Sequence, residues 1–330
     1  MRRVFAIVLS LLAGPVWSAD ITLPEYERVV LDNGAVLVLS EKRDVPLIGM
    51  QAAVRGGAAM DPAGKAGLSG LLATVLEKGA GDRDAAEFAE AAARVGGLVA
   101  ADAGVESISV SAEFLARDVE LMIELVADLL MRPQLDEDEF DKVQARSIAL
   151  IQAAKDSNPS GLLPGYGNAF IFGEHAYGNP VSGSEASLDD ISHDDLEQHY
   201  EATFGGDRLV VAVSGDFDSA AMKAKLTEVF GGWEAAAAER PALSAPARFT
   251  GRRVLLVDRP GSAQTYFWIG NVGVAIDYPR RAELRIANTL FGERFTSMLM
   301  TALRVESGLT YGARSRVEQL SMPGSVTIRS

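Results

Sequence analysis

The 330-residue sequence contains no cysteine and only three histidines, and these shortages exclude several kinds of site. Without cysteine there is no disulfide framework, no thiolate metal site and no cysteine nucleophile. A bound metal would have to rest on histidines and carboxylates. Positive charge is also scarce, because 31 lysines and arginines face 45 acidic residues, which gives a formal net charge of −14. Such a surface repels phosphate backbones, so nucleic acid is not an expected partner.

Long apolar runs are absent from the sequence after its first residues. Arg2 and Arg3 precede an apolar run at residues 4–13, and small residues close the segment, which is the order of a secretory signal peptide. The run is too short to cross a bilayer, which requires about 20 residues. We therefore predict a signal peptide at residues 1–19, an exported and periplasmic mature protein, and no membrane span after cleavage.

Strand and helix patterns occur in two groups that a linker separates. In the first group, β-rich runs at residues 29–31 and 36–39 flank Asp-Asn-Gly, a strong hairpin signal. Helical patterns, of which residues 119–131 are the clearest, then alternate with strands up to residue 230. An alanine run with two prolines at residues 234–247 has the composition of an exposed linker. Beyond it, strands are predicted again, the first of them at residues 254–257.

These patterns predict an α+β fold with two related domains, each an antiparallel-rich sheet packed with helices. The first domain covers residues 20–233 and the linker covers residues 234–247. Residues 248–330 begin a second domain, in which helices are predicted at residues 280–290 and 296–306. Because this second group of elements stops without a terminal helix, we predict that the second domain is incomplete in this chain.

Residues 67–79 read Gly-Leu-Ser-Gly-Leu-Leu-Ala-Thr-Val-Leu-Glu-Lys-Gly. They resemble the segment Gly-Leu-x-His-x-x-Glu-His-x-Leu-x-x-Gly of pitrilysin/insulinase family metallopeptidases. On a helix the two histidines share a face and hold zinc, while the glutamate polarises the attacking water. Those positions carry Gly70, Ala73 and Thr74 here, and none of these side chains is a useful zinc ligand or general base.

Family members take a third zinc ligand, a glutamate, from a second helix further along the chain. The corresponding residues 143–155 contain no aspartate or glutamate. The resemblance therefore implies a metallopeptidase or processing-peptidase type of fold whose own zinc motif is degenerate. It also implies that this chain binds no cofactor and is inactive as a peptidase by itself.

A second resemblance lies at residues 304–311, which read Arg-Val-Glu-Ser-Gly-Leu-Thr-Tyr. The family has Arg-x-x-x-Gly-Leu-x-Tyr, and its arginine and tyrosine reach from the second domain to the zinc site of the first. A guanidinium and a phenol there can donate hydrogen bonds to the substrate carbonyl. In two-chain members the zinc motif and this pair lie on different subunits. The resemblance thus implies that Arg304 and Tyr311 assist in trans a homologous partner that carries His-x-x-Glu-His and its zinc.

Residues 98–102 are predicted to form an edge strand of the first sheet. In the family the corresponding edge accepts an extended peptide by strand addition, which makes Leu98, Ala100 and Asp102 candidate substrate-binding residues. An edge that is simply covered is an equal alternative. His193 and His199, six positions apart in a polar helix, are predicted to be surface residues.

The sequence leaves two other functions open. One is a purely structural or binding subunit without any catalytic contribution, for which the loss of Arg304 or Tyr311 has no effect on a partner's activity. The other is a peptidase with a relocated metal site, for which the purified chain carries stoichiometric metal. The shortage of histidine and the lack of cysteine speak against the second.

Overall fold

The computed structural model describes residues 24–330, and the predicted signal peptide at residues 1–19 lies outside the described residues. The predicted α+β fold is confirmed, with a mixed sheet packed against helices. The strands of the described part are β1 (Glu27–Val30), β2 (Val36–Glu41), β3 (Leu47–Arg55), β4 (Gly79–Ala80), β5 (Arg83–Asp84), β6 (Leu98–Ala103), β7 (Ser107–Leu115), β8 (Leu209–Gly215), β9 (Trp268–Val272), β10 (Arg314–Val317) and β11 (Ser325–Arg329). Its helices are α1 (Leu68–Leu76), α2 (Ala85–Arg94), α3 (Val119–Met131), α4 (Glu137–Ser157), α5 (Leu163–Phe172), α6 (Glu185–Asp189), α7 (His193–Thr203), α8 (Ser219–Phe230), α9 (Arg281–Asn288) and α10 (Met298–Met300).

The main sheet has six strands in the order β1-β2-β8-β3-β7-β6. Strands β2 and β8 are parallel, and every other neighbouring pair in this sheet is antiparallel. The predicted hairpin at the start is confirmed, since β1 pairs with β2 and Val30 lies opposite Val36. Gly34 in its turn has φ 91°, a left-handed conformation that glycine adopts without steric cost. The sheet therefore ends in β1 on one side and in β6 on the other.

One face of the main sheet carries the core, as the alternation of β3 shows. Ile48, Met50 and Val54 are buried, while Gln51 between them is exposed, because successive side chains of a strand point to opposite faces. Helix α3 matches the predicted residues 119–131 and buries an apolar stripe. No helix in residues 24–330 combines the length and the apolar character that a bilayer span requires.

The C-terminal part forms a second sheet in the order β10-β11-β9. The predicted strand at residues 254–257 is wrong, because these residues belong to no strand and Val254 and Leu256 are each 86% exposed. Their apolar composition favours a strand, but no neighbouring strand within the described residues pairs with them. The helix predicted at residues 296–306 is α-helical only over α10 and continues as a π-helical turn at Thr301–Glu306.

A small second core joins the C-terminal sheet to the N-terminal part. Ile171, Phe172 and Tyr177 bury their side chains together with Val272 of β9. The Tyr177 hydroxyl donates a hydrogen bond to Glu106 Oε1 at 2.5 Å. Burial raises the pKa of Tyr177 above its usual value, and the neighbouring Glu106 carboxylate acts in the same direction. The phenol therefore stays protonated and keeps donating this bond.

Candidate functional site

Helix α1 carries the degenerate zinc motif, and its N-terminus is held by a buried carboxylate. The residue before the helix, Gly67, has φ 98°, so this entry turn favours glycine. Asp61 accepts hydrogen bonds from Gly67 N at 2.9 Å and from Ser69 N at 3.0 Å. The Ser69 hydroxyl also donates to Asp61 Oδ1 at 2.6 Å. Asp61 thus satisfies amides at the start of α1 that have no partner inside the helix.

A histidine from another helix completes this buried group. His199 of α7 places Nε2 at 3.0 Å from Ser69 Oγ and at 3.7 Å from Asp61 Oδ1. His199 is only 5% exposed, so its prediction as a surface residue was wrong. It follows the fully buried Leu196 by three positions, and that helical spacing was the available signal of an inward-facing side chain. Because the serine hydroxyl donates to the carboxylate and not to the histidine, the arrangement is a buried polar network rather than a nucleophilic triad.

Burial shifts the pKa values of this group in opposite directions. It raises the pKa of Asp61 to about 6, against the effect of its hydrogen bonds, and lowers the pKa of His199 to about 4. A carboxyl with a raised pKa binds protons more tightly in the folded protein, so its contribution to stability falls as pH rises from about 4 to 6. The histidine binds protons less tightly when folded, so its contribution rises between about pH 4 and 6.5. The two effects oppose each other over the same range.

The three positions of the degenerate motif lack useful zinc ligands, and two of them, Gly70 and Ala73, also lack room for a larger side chain. A Cβ atom on Gly70 would lie 2.3 Å from the backbone oxygen of Val181, closer than real Cβ contacts allow. Ala73 is 2% exposed and packs in the core. Thr74 is exposed, but its hydroxyl donates to Gly70 O at 3.1 Å, a bond within the helix. A zinc ion of the family's kind therefore does not fit these residues.

The second helix of the expected zinc site is likewise occupied by structural contacts. Helix α4 packs against α1, and its residues 143–155 contain no carboxylate. Gln144 on this helix donates hydrogen bonds to the backbone oxygens of Leu188 at 2.7 Å and Ile191 at 2.6 Å. Ile148 and Ile151 of α4 pack against the core. The two helices that would supply zinc ligands thus pack against each other, and the polar side chain of Gln144 is engaged by the backbone at Leu188 and Ile191.

Arg304 and Tyr311 lie next to each other in the C-terminal part. The guanidinium carbon of Arg304 lies 4.5 Å from the centre of the Tyr311 ring and 4.8 Å from that of Phe295. This is the distance range of cation–π contacts, which orient a guanidinium without neutralising it. Tyr311 is 85% exposed and Phe295 is 68% exposed. The predicted pair is therefore assembled on a surface that another chain can reach.

Strand β6 is an edge of the main sheet, as predicted. The turn between β6 and β7 closes with Gly104 N donating to Ser107 O at 2.8 Å, so these two residues form a hydrogen-bonded pair. Such pairs alternate along an antiparallel ladder. Every second residue back along β6 is therefore also in a hydrogen-bonded pair. These residues are Asp102, Ala100 and Leu98, which lie opposite Ser109, Ser111 and Glu113. The main-chain groups of these three candidate residues therefore face β7.

The outward-facing main chain of β6 belongs to the residues between them. By the same alternation, the amides and carbonyls of Val99, Ala101 and Ala103 point away from β7. The carboxylate of Glu77 confirms this phase, since it accepts a hydrogen bond from Ala101 N at 2.6 Å. Strand addition at this edge would therefore use these three residues for main-chain hydrogen bonds.

A further group with metal-binding atoms lies on α7. His193, Asp194 and Glu197 place one nitrogen or oxygen each within 4.8 Å of one another. His193 Nε2 is already engaged with the backbone oxygen of Leu135 at 2.5 Å. Both carboxylates are exposed, as acidic groups on a helix surface commonly are. The two carboxylates thus belong to a solvated helix face, while the His193 ring packs edge-on against Phe140 at a distance of 5.7 Å between ring centres.

Comparison with known families agrees with the resemblance of the motifs. The family model described as "Insulinase (Peptidase family M16)" matches residues 37–185, and that described as "Peptidase M16 inactive domain" matches residues 190–330. The two matches together cover α1 with its degenerate motif, the edge strand β6 and the Arg304/Tyr311 pair. Both matched ranges lie within the described residues 24–330.

Curated relatives are similar over most of this chain. An uncharacterized zinc protease of Bacillus subtilis, YmxG, is 25% identical over 305 residues, which are 92% of this chain and 72% of the relative. An uncharacterized zinc protease of Mycobacterium leprae is 27% identical over 80% of this chain and 59% of its own length. A protein of Helicobacter pylori described as a non-peptidase homolog is 24% identical over 85% of this chain and 64% of its own length. The chain thus spans 59–72% of these relatives.

Two solved structures have the same fold at 20% sequence identity. A peptidase M16 inactive domain from Pseudomonas fluorescens superposes with a TM-score of 0.82 over 92% of this chain and 74% of that one. A protease from Helicobacter pylori superposes with a TM-score of 0.86 over 93% of this chain and 75% of that one. At this identity the likeness shows the architecture, and the chemistry has to be argued from the residues of the site.

Proposed function

Because this chain belongs to the peptidase M16 (insulinase) family and is of its inactive type, we propose that it is the metal-less subunit of an exported two-chain zinc peptidase. Its partner is a homologue with an intact His-x-x-Glu-His motif and the zinc ion. This chain contributes part of the chamber wall, an edge strand for peptide binding, and Arg304 with Tyr311 in trans. By itself it does not hydrolyse peptides.

The observation that carries this proposal is the contrast between the two halves of the family's site. At the zinc motif, Gly70 lies so close to Val181 that no side chain fits, and Ala73 is buried. Arg304 and Tyr311, by contrast, are stacked together and keep an exposed ring. A chain that had lost all catalytic use would have no functional reason to hold a charged group and a phenol side by side on its surface. Their retention favours a role outside this chain's own active site.

The chemistry of the pair suits the proposed role. An arginine offers five N–H donors and is always charged, and a tyrosine offers one O–H donor. Peptide hydrolysis develops negative charge on the scissile carbonyl oxygen, and preorganised donors aimed at that charge lower the barrier. Arg304 lies over the rings of Phe295 and Tyr311, and these two contacts favour one orientation of its guanidinium.

The test is to purify this chain and a homologue with the intact motif, and to measure cleavage of an unfolded peptide by each alone and by the mixture. We expect activity in the mixture only. Arg304→Ala or Tyr311→Phe should then lower the mixture's kcat by about 100-fold, the effect of removing one donor to a developing oxyanion. Arg280→Ala and Tyr266→Phe are matched controls, because within residues 24–330 the polar contacts of these two side chains are with Glu283 and Gln264 at the surface. Full activity of the first two variants would refute the catalytic part of the proposal.

That negative result would favour the second candidate function, a structural or binding subunit. The Helicobacter pylori relative described as a non-peptidase homolog supports it. In this case the mixture still requires this chain for assembly, but substitution of Arg304 or Tyr311 has no effect. The third candidate, a relocated metal site on His193, Asp194 and Glu197, predicts stoichiometric metal on the purified chain and is tested by metal analysis.

Export forms a separate part of the proposal and rests on residues 1–19. Cell fractionation of the tagged full-length chain should place it in the periplasm, with the N-terminus of the mature form after Ser18 or Ala19 by mass spectrometry. Recovery of the uncleaved chain from the cytoplasm would contradict this part and leave the rest of the proposal unaffected.

A further inference from the structure

One outward-facing amide of the β6 edge is already engaged. Glu77 Oε1 accepts the Ala101 N–H at 2.6 Å. Within residues 24–330, no other hydrogen bond reaches the β6 backbone from outside β7. A strand added to this edge would need the same amide, because each outward residue exchanges both its N–H and its C=O with a new neighbour. The Glu77 carboxylate and a peptide carbonyl therefore compete for one donor.

The position of Glu77 on its helix makes this contact unusual. Glu77 is the C-terminal cap residue of α1, and the last turn of α1 contains no basic residue. Negative charge is unfavourable at a helix C-terminus, where the helix dipole already places negative partial charge. The bond to Ala101 offsets this, since an ionised acceptor holds an amide more strongly than a neutral carbonyl does. Helix stability alone thus gives no reason for a glutamate at this position.

We propose that Glu77 is a built-in competitor for strand addition, so that β6 accepts an extended peptide only when the carboxylate leaves Ala101. This inference rests on the proposed function, because it concerns regulation of the same peptide-binding edge. The occupant is an extended peptide recognised mainly through its backbone, with Val99, Ala101 and Ala103 as its partners. A basic residue in that peptide would give the displaced carboxylate a new ion-pair partner, and the net charge of −14 also favours basic peptides.

The test uses the full chain alone, without a partner subunit. A fluorescently labelled peptide of alternating threonine and valine without charged residues is titrated, so that no peptide charge can pair with Glu77, and binding is followed by anisotropy. Glu77→Ala should bind it about tenfold more tightly than the wild type, since removing a competing charge-assisted hydrogen bond releases about 1.4 kcal/mol or more. Glu90→Ala is the matched control: it removes the same charge from α2, where Glu90 pairs with Arg94 at the surface, and should leave the affinity unchanged.

Two further measurements separate strand addition from other binding. A peptide with alternate amides N-methylated should lose its affinity for both proteins, because it cannot extend the ladder. Hydrogen exchange should show the Ala101 amide protected in the wild type, faster in Glu77→Ala, and protected again with the peptide. If Glu77→Ala does not fold, Glu77→Gln replaces it; this variant keeps a weaker, neutral acceptor and should show a smaller gain in affinity.

Equal affinities of the wild type and the Glu77 variant would overturn the inference, as would binding of the N-methylated peptide. Fast exchange of the Ala101 amide in the wild type would do the same. None of these outcomes depends on Arg304, Tyr311 or a partner's zinc. Failure here would therefore be distinguishable from failure of the catalytic proposal, which is measured on the two-chain mixture.

Discussion

Alanine substitution of Gly70 tests directly whether the degenerate motif is closed by packing. Gly70 is the third residue of α1, and in a helix with free space around it Gly→Ala stabilises a protein by about 0.5–1 kcal/mol. Here the new Cβ would lie 2.3 Å from Val181 O. The contacted atom is a backbone oxygen and cannot rotate away, so the loop or the helix has to shift, and overpacking of this kind costs about 1–3 kcal/mol. We expect a net destabilisation of about 1–2 kcal/mol.

Gly165 is a matched control because it is also the third residue of a helix, α5. A Cβ on Gly165 would find its nearest neighbour, Pro180 Cβ, at 3.7 Å, an ordinary contact. Gly165→Ala should therefore stabilise the protein by up to about 1 kcal/mol. The two substitutions are chemically identical, and the structure predicts opposite signs for them. Their difference of about 2 kcal/mol corresponds to roughly 3 °C in melting temperature, at the usual unfolding entropy of about 2.1 cal/mol/K per residue.

Urea unfolding at fixed pH, followed by far-ultraviolet circular dichroism, is a suitable assay for both variants. The shift in midpoint reports stability as long as the slope of the transition is unchanged. If Gly70→Ala proves as stable as Gly165→Ala, α1 does not approach Val181 closely, and steric closure no longer explains the missing ligand. The chemical explanation, the lack of donor atoms at the motif positions, would then stand alone.

Two further predictions concern α1 and the buried network at its N-terminus. Restoring the family's ligands with Gly70→His, Ala73→Glu and Thr74→His should not create a zinc site, because residue 70 has no room and residue 73 would bury a carboxylate; stoichiometric zinc on a folded triple variant would contradict this. His199→Gln should make stability fall by on the order of 2–3 kcal/mol as pH rises from about 4 to 6. The reason is that Asp61, whose pKa burial raises to about 6, then acts without its opposing partner; urea titrations should find the wild type nearly flat over that range.

Elements with a strong local pattern were predictable from the sequence. Helix α3 begins and ends at the predicted residues 119 and 131, because its apolar stripe recurs with helical spacing and is fully used by the core. Helix α8 covers residues 219–230 and begins with a local cap, since the Asp218 side chain accepts a hydrogen bond from Ala221 N at 2.9 Å. The first hairpin followed from its Asn-Gly turn. In each case the deciding interactions lie within a few residues of one another.

Pairings between distant segments were not predictable in this way. Strand β8 inserts between β2 and β3, so that Val210 lies opposite both Val36 and Ala53, and no local pattern specifies those neighbours. Residues 254–257 have the composition of a strand but remain unpaired in the described part of the chain. A strand requires a partner as well as a propensity, and the sequence reports only the propensity.

The same difference between local patterns and distant contacts applies to the candidate site. The sequence identified which donors are missing at positions 70, 73 and 74, because a motif is a local pattern. It could not identify that the loop at Val181 fills the space beside Gly70, or that His199 reaches Ser69 from another helix. These contacts join residues more than a hundred positions apart, and they depend on the tertiary packing of α1.

The packing around α1 also bears on how such a chain can take part in catalysis. Point mutations that merely removed ligands would leave an open cavity, and reversion would restore the site. Here the space is occupied by the backbone at Val181, and the helix start is tied into a buried network through Asp61. A return to metal binding would require the loop and the helix to move together. Any catalytic contribution therefore has to pass through groups that a second chain can reach, and Arg304 with Tyr311 and the β6 edge are such groups.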